Sequence, residues 1–136
     1  MLTDEETKAL VANRVRRSRE TWKETKGIIE GGYWHAAANR MYYTCYYMVS
    51  ALLLKKGLNA HTHSGVIGLF GLHFIKTGII DSELGKFYSQ LFELRQTGDY
   101  DDWKEVTDVD IMPLIPIAEI FLDAVENMIR ENGYLE

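Results

Sequence analysis

Apolar side chains recur at steps of three or four residues along most of this chain, the spacing that an amphipathic α-helix requires. The first such stretch predicts a helix over Asp4–Glu30, which Gly31-Gly32 would end. The second predicts a helix over Tyr33–Lys56, with Gly57 as its C-cap. The positions predicted to be buried in these two helices are Val11, Val15, Ser18, Trp22, Ile29, Ala37, Met41, Cys45, Met48 and Leu52.

Two shorter helices are predicted in the middle of the chain. The third spans 64–76, and Ser64 can accept the hydrogen bonds of its first turn. The fourth is capped by Asp81 or Ser82 and fades at Gly98. The positions predicted to face inward on the fourth helix are Leu84, Phe87, Tyr88, Leu91, Leu94 and Arg95.

An acidic loop over 99–110 separates the fourth helix from the last one, which we predict to start near Asp110. Pro113 and Pro116 are tolerable only in or near the first turn of that helix. Its predicted buried stripe is Leu114, Ile117, Phe121, Val125 and Met128. No stretch has the two-residue alternation of a strand. The sequence therefore predicts an all-α fold, an antiparallel up-and-down bundle of four or five helices that forms one domain over residues 1–136.

Composition narrows the class of protein. The chain has 136 residues, 46% of them hydrophobic, which is ordinary for one packed domain. No apolar run approaches the ~20 residues of a membrane helix, and the acidic start over 1–6 is unlike a signal peptide. The single cysteine, Cys45, excludes an internal disulfide framework and is expected to be buried. We expect a cytoplasmic protein with no membrane partner.

Charge is unevenly distributed along the chain. The net charge of −5 argues against tight nonspecific binding to nucleic acid. However, residues 8–26 contain seven Lys or Arg against two Glu, and residues 99–136 contain eleven acidic against two basic residues. These segments could be two solvated helix faces that partly neutralise each other in the fold or across a dimer. Alternatively, the basic segment could form a local surface that faces a phosphate-bearing partner.

Common catalytic and cofactor motifs are missing from the sequence. It contains no GxxxxGK[ST] loop, no GxGxxG after a strand, no HExxH and no GxSxG elbow. His61 and His63 lie two residues apart in a connector, whereas His35 and His73 are distant from them, and no acidic or cysteine cluster accompanies any of the four. We therefore expect neither a metal site nor a cofactor.

The second predicted helix contains the run NRMYYTCYY over 39–47, with four tyrosines within six residues. Arg40, Tyr43 and Tyr47 lie at i, i+3 and i+7 and share one face beside the apolar stripe. One interpretation is a helix packed on several sides, with Arg40 stacked on its neighbours. The other is a polar rim that binds a base or a phosphate, since tyrosine combines an apolar ring with a hydroxyl group.

A second polar group lies at the end of the fourth predicted helix. Arg95 borders the buried stripe there and could form an ion pair with Asp99, one helical turn further on. An arginine beside an apolar face, followed by Tyr100 in an acidic loop, could equally contact an anion or a nucleotide. His63 could be a hydrogen-bonding residue of the cap region or a functional imidazole.

These segments together resemble the HEPN superfamily, from about Trp22 to Phe121. The matching stretches are GGYWHAAANRMYY at 31–43, ALLL at 51–54 followed by Gly57, HSGV at 63–66 with Phe70, FIKTG at 74–78, and RQTGDY at 95–100. The resemblance implies a bundle of four or five helices that is usually a homodimer. It also implies a nucleotidyltransferase-like partner, often within a toxin–antitoxin or related two-component system.

Many HEPN proteins are metal-independent ribonucleases, whose site is an arginine followed by a histidine after four to six residues. This sequence departs from that pattern, because no histidine lies at that distance after Arg95 and Tyr100 stands at the first of those places. Tyrosine is a poor base at neutral pH. An endoribonuclease would have to use an atypical site, for which the catalytic candidates are Arg95, His63 and Tyr100.

The chain looks more like the non-catalytic branch of the family, whose members are described as nucleotide-binding. The resemblance implies ligand contacts for Arg40, Tyr43, His63, Arg95, Asp99 and Tyr100, to which the shared helix face adds Tyr47. A buried hydrogen bond from Arg40 or Tyr43 to Asp99 would explain several of these residues without a ligand. A third possibility is a purely structural helical adaptor.

Overall fold

The computed structural model describes residues 1–100 and 102–135, and in these residues every regular element is a helix. The elements are α1 (Asp4–Glu30), α2 (Trp34–Lys55), α3 (His63–Phe70), a π-helical turn (Gly71–Ile75), α4 (Ser82–Tyr100), α5 (Asp108–Ile111), a 3₁₀ turn (Met112–Leu114), α6 (Ile115–Arg130) and a 3₁₀ turn (Glu131–Gly133). The predicted all-α helical bundle is confirmed. In the described part of the chain, no helix is long and apolar enough to cross a membrane.

Helices α1 and α2 form an antiparallel hairpin that agrees closely with the sequence. Every buried position predicted on these two helices is buried. The turn between them depends on Gly32, whose φ of 76° lies in the left-handed region that side chains other than glycine rarely adopt. A buried hydrogen bond of 2.6 Å from the Ser18 hydroxyl to the Thr44 carbonyl joins the two helices. Burial of Cys45 raises the pKa of its thiol, so this side chain serves as a core residue.

The start of α1 is fixed by a capping box. The Thr3 hydroxyl accepts a hydrogen bond of 3.1 Å from the Glu6 amide, and the Glu6 carboxylate accepts one of 2.9 Å from the Thr3 amide. Thr3→Ala removes one of these bonds, so we expect it to lower the free energy of unfolding by about 1 kcal/mol. Urea unfolding followed by circular dichroism measures this loss. The control is Thr7→Ala, one turn inside α1, where alanine should leave stability unchanged or raise it slightly.

Helix α3 differs in detail from the prediction. Its N-cap is Thr62 rather than Ser64, because the Thr62 hydroxyl accepts a 2.9 Å hydrogen bond from the Gly65 amide. The predicted helix over 64–76 is also not uniform, since it changes into a π-helical turn at Gly71.

Asp81 is the residue that caps α4, where its carboxylate accepts a 2.9 Å hydrogen bond from the Glu83 amide. Helix α4 continues to Tyr100, two residues beyond the predicted end at Gly98.

The last predicted helix consists of three pieces, α5, a 3₁₀ turn and α6. The prolines cause this break, because Pro113 and Pro116 have no amide hydrogen to donate to a continuous helix. The predicted stripe is wrong at Ile117, which is 36% exposed, and incomplete at Leu122, which is fully buried. The buried residues of α6 are Ala118, Phe121, Leu122, Val125 and Ile129.

Helix α2 is the centre of the bundle, and it packs against α1, α3, α4, α5 and α6. This position places its aromatic run between the other helices that supply polar side chains. The basic and acidic segments partly neutralise each other, because Arg19 on α1 forms ion pairs with Asp123 (2.9 Å) and Glu126 (2.7 Å) on α6.

Candidate functional site

Arg95 is held against the aromatic run of α2. Its guanidinium carbon lies 5.7 Å from the ring centroid of Tyr42 and 5.3 Å from that of Tyr43, within the range of cation–π attraction. Only 14% of the Arg95 side chain is exposed. A charged group is therefore held largely out of water between α4 and α2, where electrostatic interactions are stronger than at an open surface.

Asp99 lies one turn after Arg95 on α4, as the predicted ion pair required. Its Oδ2 atom is 3.2 Å from Arg95 Nε, but the two groups are not aligned as a hydrogen bond, and Nε is buried without a hydrogen-bond partner. The same carboxylate oxygen accepts a 3.3 Å hydrogen bond from the Asn39 amide. The Arg95 guanidinium thus has a neighbouring charge, yet within residues 1–100 and 102–135 it donates no hydrogen bond.

His63, at the start of α3, joins the same group of side chains. Its Nδ1 atom lies 2.8 Å from the Tyr42 hydroxyl, and its ring centroid is 4.8 Å from that of Tyr46. Burial and the positive charge of Arg95 both lower the pKa of His63, so the imidazole is neutral at pH 7. Burial raises the pKa of Tyr42, which keeps its proton. A neutral imidazole with its proton on Nε2 accepts the Tyr42 hydroxyl hydrogen at Nδ1.

Arg40 approaches the cluster from α2 itself. Its guanidinium carbon is 5.3 Å from the ring centroid of Tyr43, the same ring that Arg95 contacts. We call Arg40, Tyr42, Tyr43, His63 and Arg95 the arginine–tyrosine cluster. It combines two guanidinium groups, two phenol rings and a neutral imidazole, which can bind phosphate oxygens and stack on a flat ring.

The structure brings together most of the candidate residues. Arg40 is stacked on its neighbour Tyr43, as the packed-helix interpretation requires, and Tyr47 is also next to Tyr43, with ring centroids 6.0 Å apart. The suggested hydrogen bonds from Arg40 or Tyr43 to Asp99 are absent from the described residues, where Asp99 instead contacts Asn39 and Arg95. Both open interpretations of the tyrosine-rich helix are therefore compatible with this geometry.

Tyr100 is not part of the cluster. It ends α4 with 74% of its surface exposed, and among the described residues it has no ring contact or hydrogen bond with the cluster. Its hydroxyl is therefore not linked to the Arg95 guanidinium by a contact within the described residues. His63 reaches that neighbourhood instead, from a different helix.

Sequence reasoning overlooked Tyr42 and Tyr46 as site residues. Tyr42 is fully buried, and it links His63 to Arg95 because it contacts both. Tyr46 lies beside the His63 ring. The available signal was the i, i+4 spacing of these two tyrosines, which places them on one helix face, towards the bundle interior.

The lowered pKa of His63 predicts a pH dependence of stability. Because the unfolded chain binds a proton at His63 near pH ~6.5 and the folded chain does so only at lower pH, stability falls as pH drops through this window. We expect wild type to lose more stability than His63→Gln between pH 7.5 and pH 5, because the two proteins differ only at His63. Urea unfolding at the two pH values measures the difference. Equal losses in both proteins would contradict the lowered pKa.

Comparison with known proteins identifies a family whose matched region contains the arginine–tyrosine cluster. A family model described as the HEPN domain matches residues 11–128. The chain belongs to the HEPN family. The matched range contains all six α-helices except the first part of α1 and the end of α6, and it includes every residue of the arginine–tyrosine cluster.

Several HEPN relatives are similar over most of their length. A Thermotoga maritima protein called UPF0332 is 46% identical over 116 residues, 85% of this chain and 88% of that protein. Two Methanocaldococcus jannaschii proteins carry the name "putative toxin". One is 30% identical over 122 residues, 90% of this chain and 83% of its own. The other is 32% identical over 114 residues, 84% of each chain.

Proposed function

We propose that this HEPN protein is a cytoplasmic nucleotide- or RNA-binding module of a toxin–antitoxin-like or stress system, in which it acts as a homodimer with a nucleotidyltransferase-type partner. The observation that carries the binding role is the Arg95 guanidinium, which is mostly buried against Tyr42 and Tyr43 and donates no hydrogen bond to the described residues. Buried polar groups normally have partners, and Arg95 Nε faces Asp99 without an aligned hydrogen bond, so we infer a ligand whose oxygen atoms accept from the guanidinium.

The surroundings of Arg95 favour a phosphate joined to a base. The guanidinium presents a planar set of donors that matches the oxygens of a phosphate. The half-buried Tyr43 ring offers a surface on which a base can stack. Neutral His63 can donate from Nε2 without adding a second charge. The negative charge of Asp99 repels a phosphate bound beside Arg95. Binding therefore requires that the Arg95 guanidinium contacts the ligand phosphate and Asp99 at the same time.

The system-level part of the proposal is supported by the relatives. Two of them carry a toxin name, and a nucleotidyltransferase-type partner is what the resemblance to the HEPN family implies. The homodimer follows from the same resemblance. The toxin–antitoxin-like system, the nucleotidyltransferase-type partner and the homodimer do not depend on the geometry of Arg95. The binding role and the partnership are therefore tested separately.

The binding role is tested with purified protein and a fluorescent adenine mononucleotide, measured by anisotropy. We expect saturable binding that unlabelled nucleotide competes away and that weakens as salt is raised, because phosphate contacts are electrostatic. Absence of saturable binding would contradict the binding role. Light scattering during gel filtration tests the homodimer, and co-purification with a nucleotidyltransferase encoded beside the gene tests the partnership.

An endoribonuclease is the second candidate, and the closeness of His63 to Arg95 favours it. Burial and the positive charge of Arg95 lower the pKa of His63, so the imidazole is unprotonated at neutral pH and can accept a proton. This role needs the tautomer in which Nδ1–H donates to Tyr42 Oη and the Nε2 lone pair is free. The test is RNA cleavage in EDTA by wild type, His63→Ala and Arg95→Ala. Cleavage by wild type alone supports the candidate, whereas no cleavage by wild type contradicts it.

A further inference from the structure

A groove with a volume of about 400 Å³ runs along the α1–α2 side of the bundle, outside the arginine–tyrosine cluster. It lies between α1, α2 and the connector that follows α2. Its polar and aromatic lining comes from Asn13, Arg14, Arg17, Tyr46, Tyr47, Ser50 and Asn59, and the other lining residues are apolar. Two arginines and two tyrosines in one groove provide the donors and rings that a nucleotide can use.

The groove is connected to the cluster by a row of contacts between rings and guanidinium groups. The Arg17 guanidinium carbon lies 4.8 Å from the Tyr47 ring centroid. The Tyr47 and Tyr43 centroids are 6.0 Å apart, and Tyr43 in turn contacts Arg95 at 5.3 Å. Tyr46 and Tyr47, whose centroids are also 6.0 Å apart, line the groove side of this row. The groove and the cluster are therefore adjacent parts of one surface, along which two neighbouring aromatic rings lie between an arginine at each end.

Three arginines along this surface form no ion pair in the described residues, whereas Arg95 lies 3.2 Å from Asp99. Within the described parts of the chain, Arg14, Arg17 and Arg40 have no carboxylate within ion-pair distance, whereas Arg19 on the same helix α1 pairs with two carboxylates of α6. Arg14 only donates a long 3.4 Å hydrogen bond to the Ser50 carbonyl. Glu20 and Glu24 line an adjoining polar groove together with Arg17 and Arg40. In the described residues, Arg14 and Arg17 thus line the groove without a direct ion pair.

We propose that this groove is a second nucleotide subsite, so that the ligand of the whole surface is a single-stranded oligonucleotide. Arg14 and Arg17 bind its phosphates, and Tyr47 and Tyr43 stack on successive bases. This inference rests on the proposed binding role of Arg95 and specifies the ligand class. A single-stranded chain fits because rings accept any base while arginines follow the backbone. An acidic peptide would use the arginines but not the row of rings.

The test uses Arg17→Gln with two probes, a fluorescent dodecauridylate and a fluorescent adenine mononucleotide. We expect Arg17→Gln to bind dodecauridylate about tenfold more weakly, while the affinity for the mononucleotide changes by less than about twofold. The slope of log affinity against log salt should fall by about 0.7, which is one phosphate contact on a single strand. The matched control is Lys23→Gln, which removes one charge from the exposed side of the same helix and should change neither affinity.

The outcomes separate this subsite from the site at Arg95. If Arg17→Gln binds dodecauridylate as wild type does while the mononucleotide still binds, the subsite is refuted and the proposed function survives. If neither probe binds wild type, the proposed function fails as well. Equal competition by polyglutamate at the same charge concentration would also overturn the subsite, since it would show that the rings are not used. Competition by dodecathymidylate distinguishes DNA from RNA as the source, and either strand supports the subsite.

Discussion

Arg95→Gln is expected to weaken nucleotide binding by about thirtyfold, which corresponds to ~2 kcal/mol. The substitution removes a cation that contacts both Tyr42 and Tyr43 and leaves a shorter, uncharged polar side chain. Because the guanidinium is mostly buried, solvent screens its attraction for a phosphate less than it would at the surface. Anisotropy with the fluorescent mononucleotide measures the loss.

The same variant has a readout that needs no ligand. The charge of Arg95 contributes to the lowered pKa of His63, so its removal should raise that pKa towards the ordinary value, although burial still opposes the charged form. Titration of the His63 imidazole by NMR follows this change. The control is Arg19→Gln, which also breaks arginine–carboxylate pairs but lies away from the cluster. Should the two variants give the same His63 pKa and the same nucleotide affinity, the assigned role of Arg95 is wrong.

Only the contacts between residues of the same helix could be predicted from the sequence. Arg40, Tyr43 and Tyr47 share a helix face because of their spacing, and Arg95 and Asp99 are one turn apart on α4, so simple helix geometry relates the members of each set. The contact between Arg95 and the tyrosines is different, since it depends on how α4 packs across α2.

His63 illustrates the same limit. It was predicted to be either a cap-region hydrogen bonder or a functional imidazole, and the capping hydroxyl belongs to its neighbour Thr62. The packing of α3 places its Nδ1 beside the Tyr42 hydroxyl. Tyr42 was not singled out because a fully buried tyrosine resembles any other core residue in the sequence. Tertiary packing turns it into the link between the imidazole and the guanidinium.

The fold was most predictable where helices are long and uninterrupted. In α1 and α2, many turns of consistent periodicity determine which face is buried, and the glycine turn between them is readable from the sequence. The helix boundaries after Asp108 are harder to predict, because the prolines divide this part of the chain into α5, a 3₁₀ turn and a separate helix α6 that begins at Ile115. Apolar residues also lie on both edges of its stripe, including the exposed Ile117 and Ile120, so periodicity alone cannot decide which edge faces the core.

The orientation of α6 can be measured directly by comparing Leu122→Ala with Ile117→Ala. Leu122 is fully buried, so its truncation should leave a cavity and lower the free energy of unfolding by about 3 kcal/mol. Ile117 is 36% exposed, and the same kind of truncation there should cost less than about 1 kcal/mol. Urea unfolding followed by circular dichroism gives both values.

This pair separates the observed helix from the one that the sequence predicts, in which Ile117 is buried and Leu122 is not part of the stripe. The two positions lie on the same helix, so differences in helix propensity between leucine and isoleucine account for only a few tenths of a kcal/mol. A larger loss for Ile117→Ala than for Leu122→Ala would mean that α6 is rotated about its axis. Its acidic face would then rotate as well and withdraw Asp123 and Glu126 from Arg19, the one α1 arginine that the bundle neutralises.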